Sequence, residues 1–134
     1  MYTVSKTFSF CYGHRLVGDK GKCRHLHGHS ARATFILGGE GLDRRGMVCH
    51  FDRLKETVGA WIAENLDHTM LLARDDSVAK LLADAEEKLC LMNGNPTAEN
   101  IARLLFERAE GFNLPVLRVE VWESDTSKAT FEKN

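Results

Sequence analysis

Several features that would announce a class of protein are missing from this chain. No apolar stretch approaches the roughly 18 residues that a membrane-spanning helix needs. The opening Met1-Tyr2-Thr3-Val4-Ser5-Lys6 lacks a basic segment followed by an apolar one, the pattern of a secretory leader. A cytoplasmic protein without a membrane partner is expected. Neither sign of charge is in excess, with 18 Lys and Arg against 19 Asp and Glu for a net charge of -1. With no basic stripe and no aromatic-basic alternation, electrostatics give no support to a nucleic-acid partner. The four cysteines, Cys11, Cys23, Cys49 and Cys90, show no C-x-x-C pairing. That argues against a disulfide framework and suits a reducing compartment. Linkers, low-complexity tracts and heptad repeats are also missing. At 134 residues and 43% hydrophobic, the chain is expected to form one domain over residues 1–134, large enough for one core and too small for two.

What is present is concentrated in Cys23-Arg24-His25-Leu26-His27-Gly28-His29, which places one thiol and three imidazoles in seven residues. On a β-strand, positions i and i+2 project from the same face, so His27 and His29 can reach one ion. Gly28 leaves the opposite face without a side chain, free for close packing or for substrate. A catalytic zinc usually takes three protein ligands and keeps one position open, so a third ligand is required. His14 fills that role if an antiparallel strand ending near it leads back to His27. Cys23 has two readings. As a fourth ligand it closes a structural Cys-His-His-His shell; as a free thiol beside a cation its pKa falls, making it a base or nucleophile near neutrality. Its place in the connecting loop and the absence of paired cysteines favour the free thiol. His25 reads as a surface loop histidine.

Residues from Thr3 to Phe10 alternate, with Val4, Lys6, Phe8 and Phe10 on one side, and a second alternation runs from His27 to Leu37 until Gly38-Gly39-Glu40-Gly41 ends it. After Phe51 the period becomes helical: Leu54, Val58, Trp61, Ile62 and Leu66 share a face, with Asp52 as N-cap. A weaker amphipathic run carries Val78, Leu81, Leu82 and Ala85. A third helix opens at Asn95-Pro96-Thr97, capped by either Asn95 or Thr97, and stops at Gly111. Strands follow over Val116–Glu123 and Lys128–Glu132. The order strand, strand, helices, strand, strand predicts an α+β domain, an antiparallel four-stranded sheet with helices on one face. Its two open edges invite pairing with other copies.

Three further positions can carry chemistry. Asp67-His68 is either a polar pair closing the first helix or a proton relay, since a carboxylate raises the basicity of a neighbouring imidazole. Glu123, after an apolar strand, either enters solvent or awaits a planar ligand with N–H donors. Thr97 is first of all a helix-start residue.

In combination these motifs resemble the 6-pyruvoyltetrahydropterin synthase / 6-carboxytetrahydropterin synthase family. The match covers Phe8-Ser9-Phe10 through His14-Arg15-Leu16, Cys23-x-x-x-His27-Gly28-His29, Phe51 with Leu54-Lys55, Leu66-Asp67-His68, Asn95-Pro96-Thr97-Ala98-Glu99-Asn100 and Trp122-Glu123-Ser124. The resemblance implies the tunnelling fold, with sheets joined into trimeric barrels, two trimers stacked into a homohexamer, and active sites between subunits. It also implies His14, His27 and His29 as ligands of one Zn2+ per subunit and Cys23 as catalytic base. Asp67 and His68 would be contributed across an interface, Glu123 would anchor the pterin ring, and Thr97 would touch it. The implied substrate is 7,8-dihydroneopterin triphosphate, with zinc as Lewis acid on the side-chain hydroxyls and triphosphate as leaving group.

The three-residue gap between Cys23 and His27 resembles the bacterial 6-carboxytetrahydropterin synthases of the 7-deazaguanine (queuosine) pathway, which also release acetaldehyde. A pyruvoyl product, a different pterin or a binding role remain the alternatives. Two positions depart from the family pattern. His50 precedes Phe51 where an Asp is usual, and Tyr12-Gly13 precedes His14 where small residues stand, so the tyrosine narrows the pocket.

Overall fold

A computed structural model describes all of residues 1–134. Two 13-residue strands form its spine, β1 (Tyr2–His14) and β2 (His27–Gly39). They pair antiparallel along their full length, from Tyr2 opposite Gly39 to His14 opposite His27. The alternation seen in the sequence has a simple cause: Phe10, Tyr12, Ala31, Ala33, Phe35 and Leu37 all face the helices and are almost wholly buried. Burying each large apolar side chain contributes about 1.5 to 3 kcal/mol. On the far side of β2 lies β5 (Val116–Trp122), antiparallel, followed by β6 (Lys128–Glu132).

The expected four strands are therefore present, but the sheet has six, in the order β4-β3-β1-β2-β5-β6, and is mixed. The two additional strands, β3 (Thr69–Ala73) and β4 (Leu89–Met92), pair parallel with each other, and β3 runs parallel to the end of β1. They have five and four residues respectively. Their sequences, Thr-Met-Leu-Leu-Ala and Leu-Cys-Leu-Met, do not alternate, because parallel strands are covered on both faces. Helix α3 (Ser77–Asp84) makes the crossover that a parallel pair requires.

Phe51 to Asn65 forms one continuous helical segment: α1 (Phe51–Leu54), a π-helical stretch (Lys55–Gly59) and α2 (Ala60–Asn65). The expected cap, Asp52, is instead the recipient. His50 Nδ1 accepts the Asp52 backbone N–H at 3.0 Å, so the residue that departs from the family pattern caps the helix itself. Gly59 allows this segment to approach the sheet, since a Cβ there would stand 2.6 Å from the ring of Phe8.

Helix α4 (Ala98–Gly111) is capped by Thr97, whose hydroxyl accepts the Asn100 N–H at 3.1 Å, which resolves the choice between Asn95 and Thr97. Its buried Ile101, Ala102, Leu105, Phe106 and Ala109 seat it on the sheet, with Phe106 meeting Phe131 of β6 edge to face at 5.1 Å. Seated this way, α4 holds its own N-terminal loop over the end of β1. Asn95 fixes that loop by exchanging two hydrogen bonds with the backbone of Val17, at 2.9 and 2.8 Å. No helix is long and apolar enough to cross a membrane.

A candidate metal and pterin site

The pairing of β1 and β2 places His14 opposite His27 and Tyr12 opposite His29. All four side chains share the helix-covered face, because alternate residues of each strand point the same way. The three imidazoles converge: one ring nitrogen from each lies within 4.8 Å of the others, and Nε2 of His14 and Nε2 of His29 are 3.1 Å apart. Their centroids are separated by 4.5 to 5.1 Å.

Two of these rings are oriented by backbone carbonyls. His14 Nδ1–H donates to the Pro96 carbonyl at 2.7 Å, and His27 Nδ1–H donates to the His25 carbonyl at 2.7 Å. Each bond fixes the tautomer and leaves the Nε2 lone pair free for a cation, the outer support that metal-binding histidines use. Burial, followed by the neighbouring imidazoles, holds the His14 pKa below its ordinary value, although the Pro96 bond opposes this. A neutral imidazole is the form that binds a cation. These residues therefore suit a divalent metal ion with an open position. His25, expected to be a bystander, contributes its carbonyl while its side chain stays exposed.

Gly28 lies between His27 and His29 for a steric reason. A Cβ on it would stand 2.9 Å from the Tyr12 carbonyl oxygen, a backbone atom that cannot swing aside. Close packing, rather than substrate room, is what the glycine supplies. Gly28→Ala is expected to pry β2 from β1 between His27 and His29 while the chain remains folded. Metal affinity should then fall roughly 10- to 100-fold, the range that disturbed outer-shell support produces. Competition against a chromophoric chelator measures this, and unchanged affinity would show that the strands absorb the methyl.

Glu123 follows β5 directly, on the face of Val119 and Val121 and hence of the histidines. Tyr12, only 3% exposed, bridges the two groups. Its hydroxyl donates to Glu123 Oε1 at 3.3 Å, and its ring lies edge-on to His14 at 5.1 Å and tilted against His29 at 5.6 Å. Burial, then the Glu123 charge, raises the phenol's pKa, so it remains a donor at any working pH. The link from Tyr12 to Glu123, 111 residues away, had no sequence signal.

The remaining candidates are distributed differently. Cys23, half-buried in a short 3-10 turn (Lys22–Arg24), lies outside the histidine group. Asp67 and His68 do form a pair, His68 Nδ1 standing 3.1 Å from Asp67 Oδ2, but they follow the helix instead of closing it. Their thiol neighbour within the chain is Cys11, not Cys23. Thr97 spends its hydroxyl on the α4 cap. An open cleft of about 560 Å3 is lined by His27, Gly28 and His29 and also by Cys11 and His68.

Comparison with known proteins places this geometry in a family. The family model for 6-pyruvoyl tetrahydropterin synthase matches residues 3–134. The 6-carboxy-5,6,7,8-tetrahydropterin synthase of Haemophilus influenzae is 31% identical, covering 99% of this chain and 100% of its own length. That of Synechocystis is 34% identical, covering 98% and 93%. Among solved structures, an uncharacterised protein of Wolinella succinogenes superposes with a TM-score of 0.82 at 26% identity, covering 99% of this chain and 98% of its own. The 6-pyruvoyl tetrahydropterin synthase of Caenorhabditis elegans has a TM-score of 0.75 at 23% identity, covering 99% and 96%, and speaks for the fold alone. A convergent histidine triad, a carboxylate on the same sheet face and a match along nearly the entire length agree: the chain belongs to the 6-pyruvoyl tetrahydropterin synthase family.

Proposed function

We propose that the chain converts 7,8-dihydroneopterin triphosphate and one water into 6-carboxy-5,6,7,8-tetrahydropterin, triphosphate and acetaldehyde, within the 7-deazaguanine (queuosine) pathway. The convergence of His14, His27 and His29 on the face that carries Glu123 is the observation that supports this reading most. The names of the curated relatives above favour the carboxy product over the pyruvoyl one.

In this reading the three histidines hold one Zn2+, which supplies Lewis acidity to the substrate's side-chain hydroxyls. Glu123 accepts from the N–H edge of the pterin, and Tyr12 keeps that carboxylate turned into the site. Cys23 takes the proton from the side chain. A thiol outside the ligand set remains available as a base, whereas a ligated one does not. Asp67 and His68 return a proton to the product. Thr97 contacts the pterin from the start of α4. The whole chain, residues 1–134, acts as one tunnelling-fold domain. The open edges at β4 and β6 pair with other copies into trimeric barrels stacked as a hexamer, which sedimentation would read as a six-chain mass. Four unbridged thiols accord with a reducing cytoplasm.

Incubating the zinc-loaded protein with the substrate and resolving products by mass tests the assignment. Acetaldehyde with the carboxypterin is expected, a pyruvoylpterin would redirect it to the sister reaction, and intact pterin bound without turnover would overturn it. Cys23→Ala should lower kcat by roughly 10^2 to 10^4 with metal content unchanged, the range for a lost general base. Tyr12→Phe should raise KM roughly fivefold, about 1 kcal/mol, with kcat moved less, because Glu123 loses a donor and the ring is kept.

A further inference from the structure

Cys11 sits on the face of β1 opposite Tyr12 and His14, and neither the triad nor the pterin reading uses it. The segment joining α2 to β3 holds both of its backbone groups. Its N–H donates to Asp67 Oδ1 at 2.9 Å, and its carbonyl accepts the His68 N–H at 2.7 Å. His68 has φ 55, in the left-handed region. For a residue with a Cβ that conformation is unfavourable, so surrounding bonds must impose it. Here the bond to the Cys11 carbonyl does so, and the reversal folds the imidazole back onto Asp67.

As a result, Cys11 Sγ, a carboxylate oxygen of Asp67 and a ring nitrogen of His68 lie within 4.8 Å of one another. Donors around a tetrahedral zinc stand about 3.3 to 3.8 Å apart, so small rotations of the side chains close the shell. The Cys11 N–H bond, with His68 beside it, keeps the Asp67 carboxyl below the ordinary carboxylate range, in the ionised form. In the single chain the His68 side chain is 79% exposed, which leaves a fourth position for water or for a group of a neighbouring copy.

We propose that Cys11, Asp67 and His68 form a second site, separate from the histidine triad, for a thiophilic divalent cation such as zinc. Sulfur, nitrogen and oxygen donors together suit a borderline-soft ion and disfavour magnesium or calcium, which seek oxygen alone. The site itself does not depend on the proposed reaction; only one consequence rests on that reading. An ion held there removes Asp67 and His68 from proton transfer, so excess zinc inhibits turnover.

Titrating the metal-stripped, full-length protein with Co2+ tests the site, because only a thiolate ligand produces a near-ultraviolet sulfur-to-cobalt absorption. Two equivalents per chain are expected, with that band developing on one of them. Cys11→Ser should abolish the band and reduce the stoichiometry from two to one; Cys23→Ala and His14→Ala should leave the band in place. Should Cys11→Ser fail to fold by circular dichroism, His68→Asn, which tolerates a left-handed backbone, must have the same effect. No thiolate band, or a band that Cys11→Ser retains, would overturn the proposal, whereas a single equivalent whose band Cys11→Ser removes would support this site and count against the triad. If the chain turns over no pterin at all, the functional reading fails while the cobalt result stands or falls by itself.

Discussion

Replacing His14 by alanine should weaken divalent-cation binding at the triad by more than about 100-fold, exceeding what loss of outer-shell support alone produces, and should abolish turnover. His14 is the sole member of the triad on β1 and is 2% exposed, so no water can easily take its place. The same substitution also strips the Pro96 carbonyl of its donor. Leaving a buried acceptor unpaired costs about 1 to 3 kcal/mol, which urea denaturation of the metal-free protein would reveal. His27→Ala provides the contrast, because its orienting carbonyl belongs to His25 in an exposed loop. It should lose the metal with much less loss of stability. Equal destabilisation by the two variants, or retained affinity in His14→Ala, would contradict this account of the site.

The largest effect on stability is expected from Asp76→Ala, at about 3 to 5 kcal/mol, the cost of breaking a buried ion pair from one side. The Asp76 side chain is wholly buried and serves two elements at once. It accepts from Arg15 Nε at 2.8 Å, and it caps α3 by accepting the Val78 N–H at 2.9 Å. Arg15 directly follows His14, so this one carboxylate ties the end of β1 to the helix that connects β3 and β4. For a chain of this size the midpoint should fall roughly 10 to 15 °C.

The sign of the pH dependence follows from the same pair. Arg15 holds the Asp76 carboxyl below its ordinary range, and backbone N–H donors do the same for Asp67 and Asp43. In acid the unfolded chain therefore binds more protons than the folded one. The stabilisation is complete above the ordinary carboxylate pKa of about 3.9 and is lost as pH falls through the lower folded values. Urea midpoints across an acid series should show the gap between the native chain and Asp76→Asn closing as pH drops. No gap at any pH would place Asp76's contribution in the cap alone, which asparagine also supplies, and a gap that does not change with pH would contradict the charge-based account.

Much of the site's frame was legible because β1 and β2 are long and half-buried. Half-burial imprints a two-residue period, and the period put His27 and His29 on one face with His14 across from them. Strands β3 and β4 left no such imprint. Short parallel strands covered on both sides have no polar face to alternate with, so Met70-Leu71-Leu72-Ala73 reads as readily as the end of a helix. The supporting groups were hidden for another reason. The carbonyls of Pro96 and His25 do the orienting, and a backbone oxygen has no residue identity to read.

Residue types and spacing by themselves determined the grouping of His14, His27 and His29 as candidate metal ligands, the four strands β1, β2, β5 and β6 in their chain order, the end of α4 and the family. Tertiary structure alone decided the rest: which thiol meets Asp67 and His68, what Tyr12 donates to, and why Gly28 cannot bear a side chain. The division has a physical cause. Periodicity records how each strand or helix meets its own environment, whereas Cys11 with Asp67, and Tyr12 with Glu123, meet across 56 and 111 residues through strand register, which appears only once the sheet has formed.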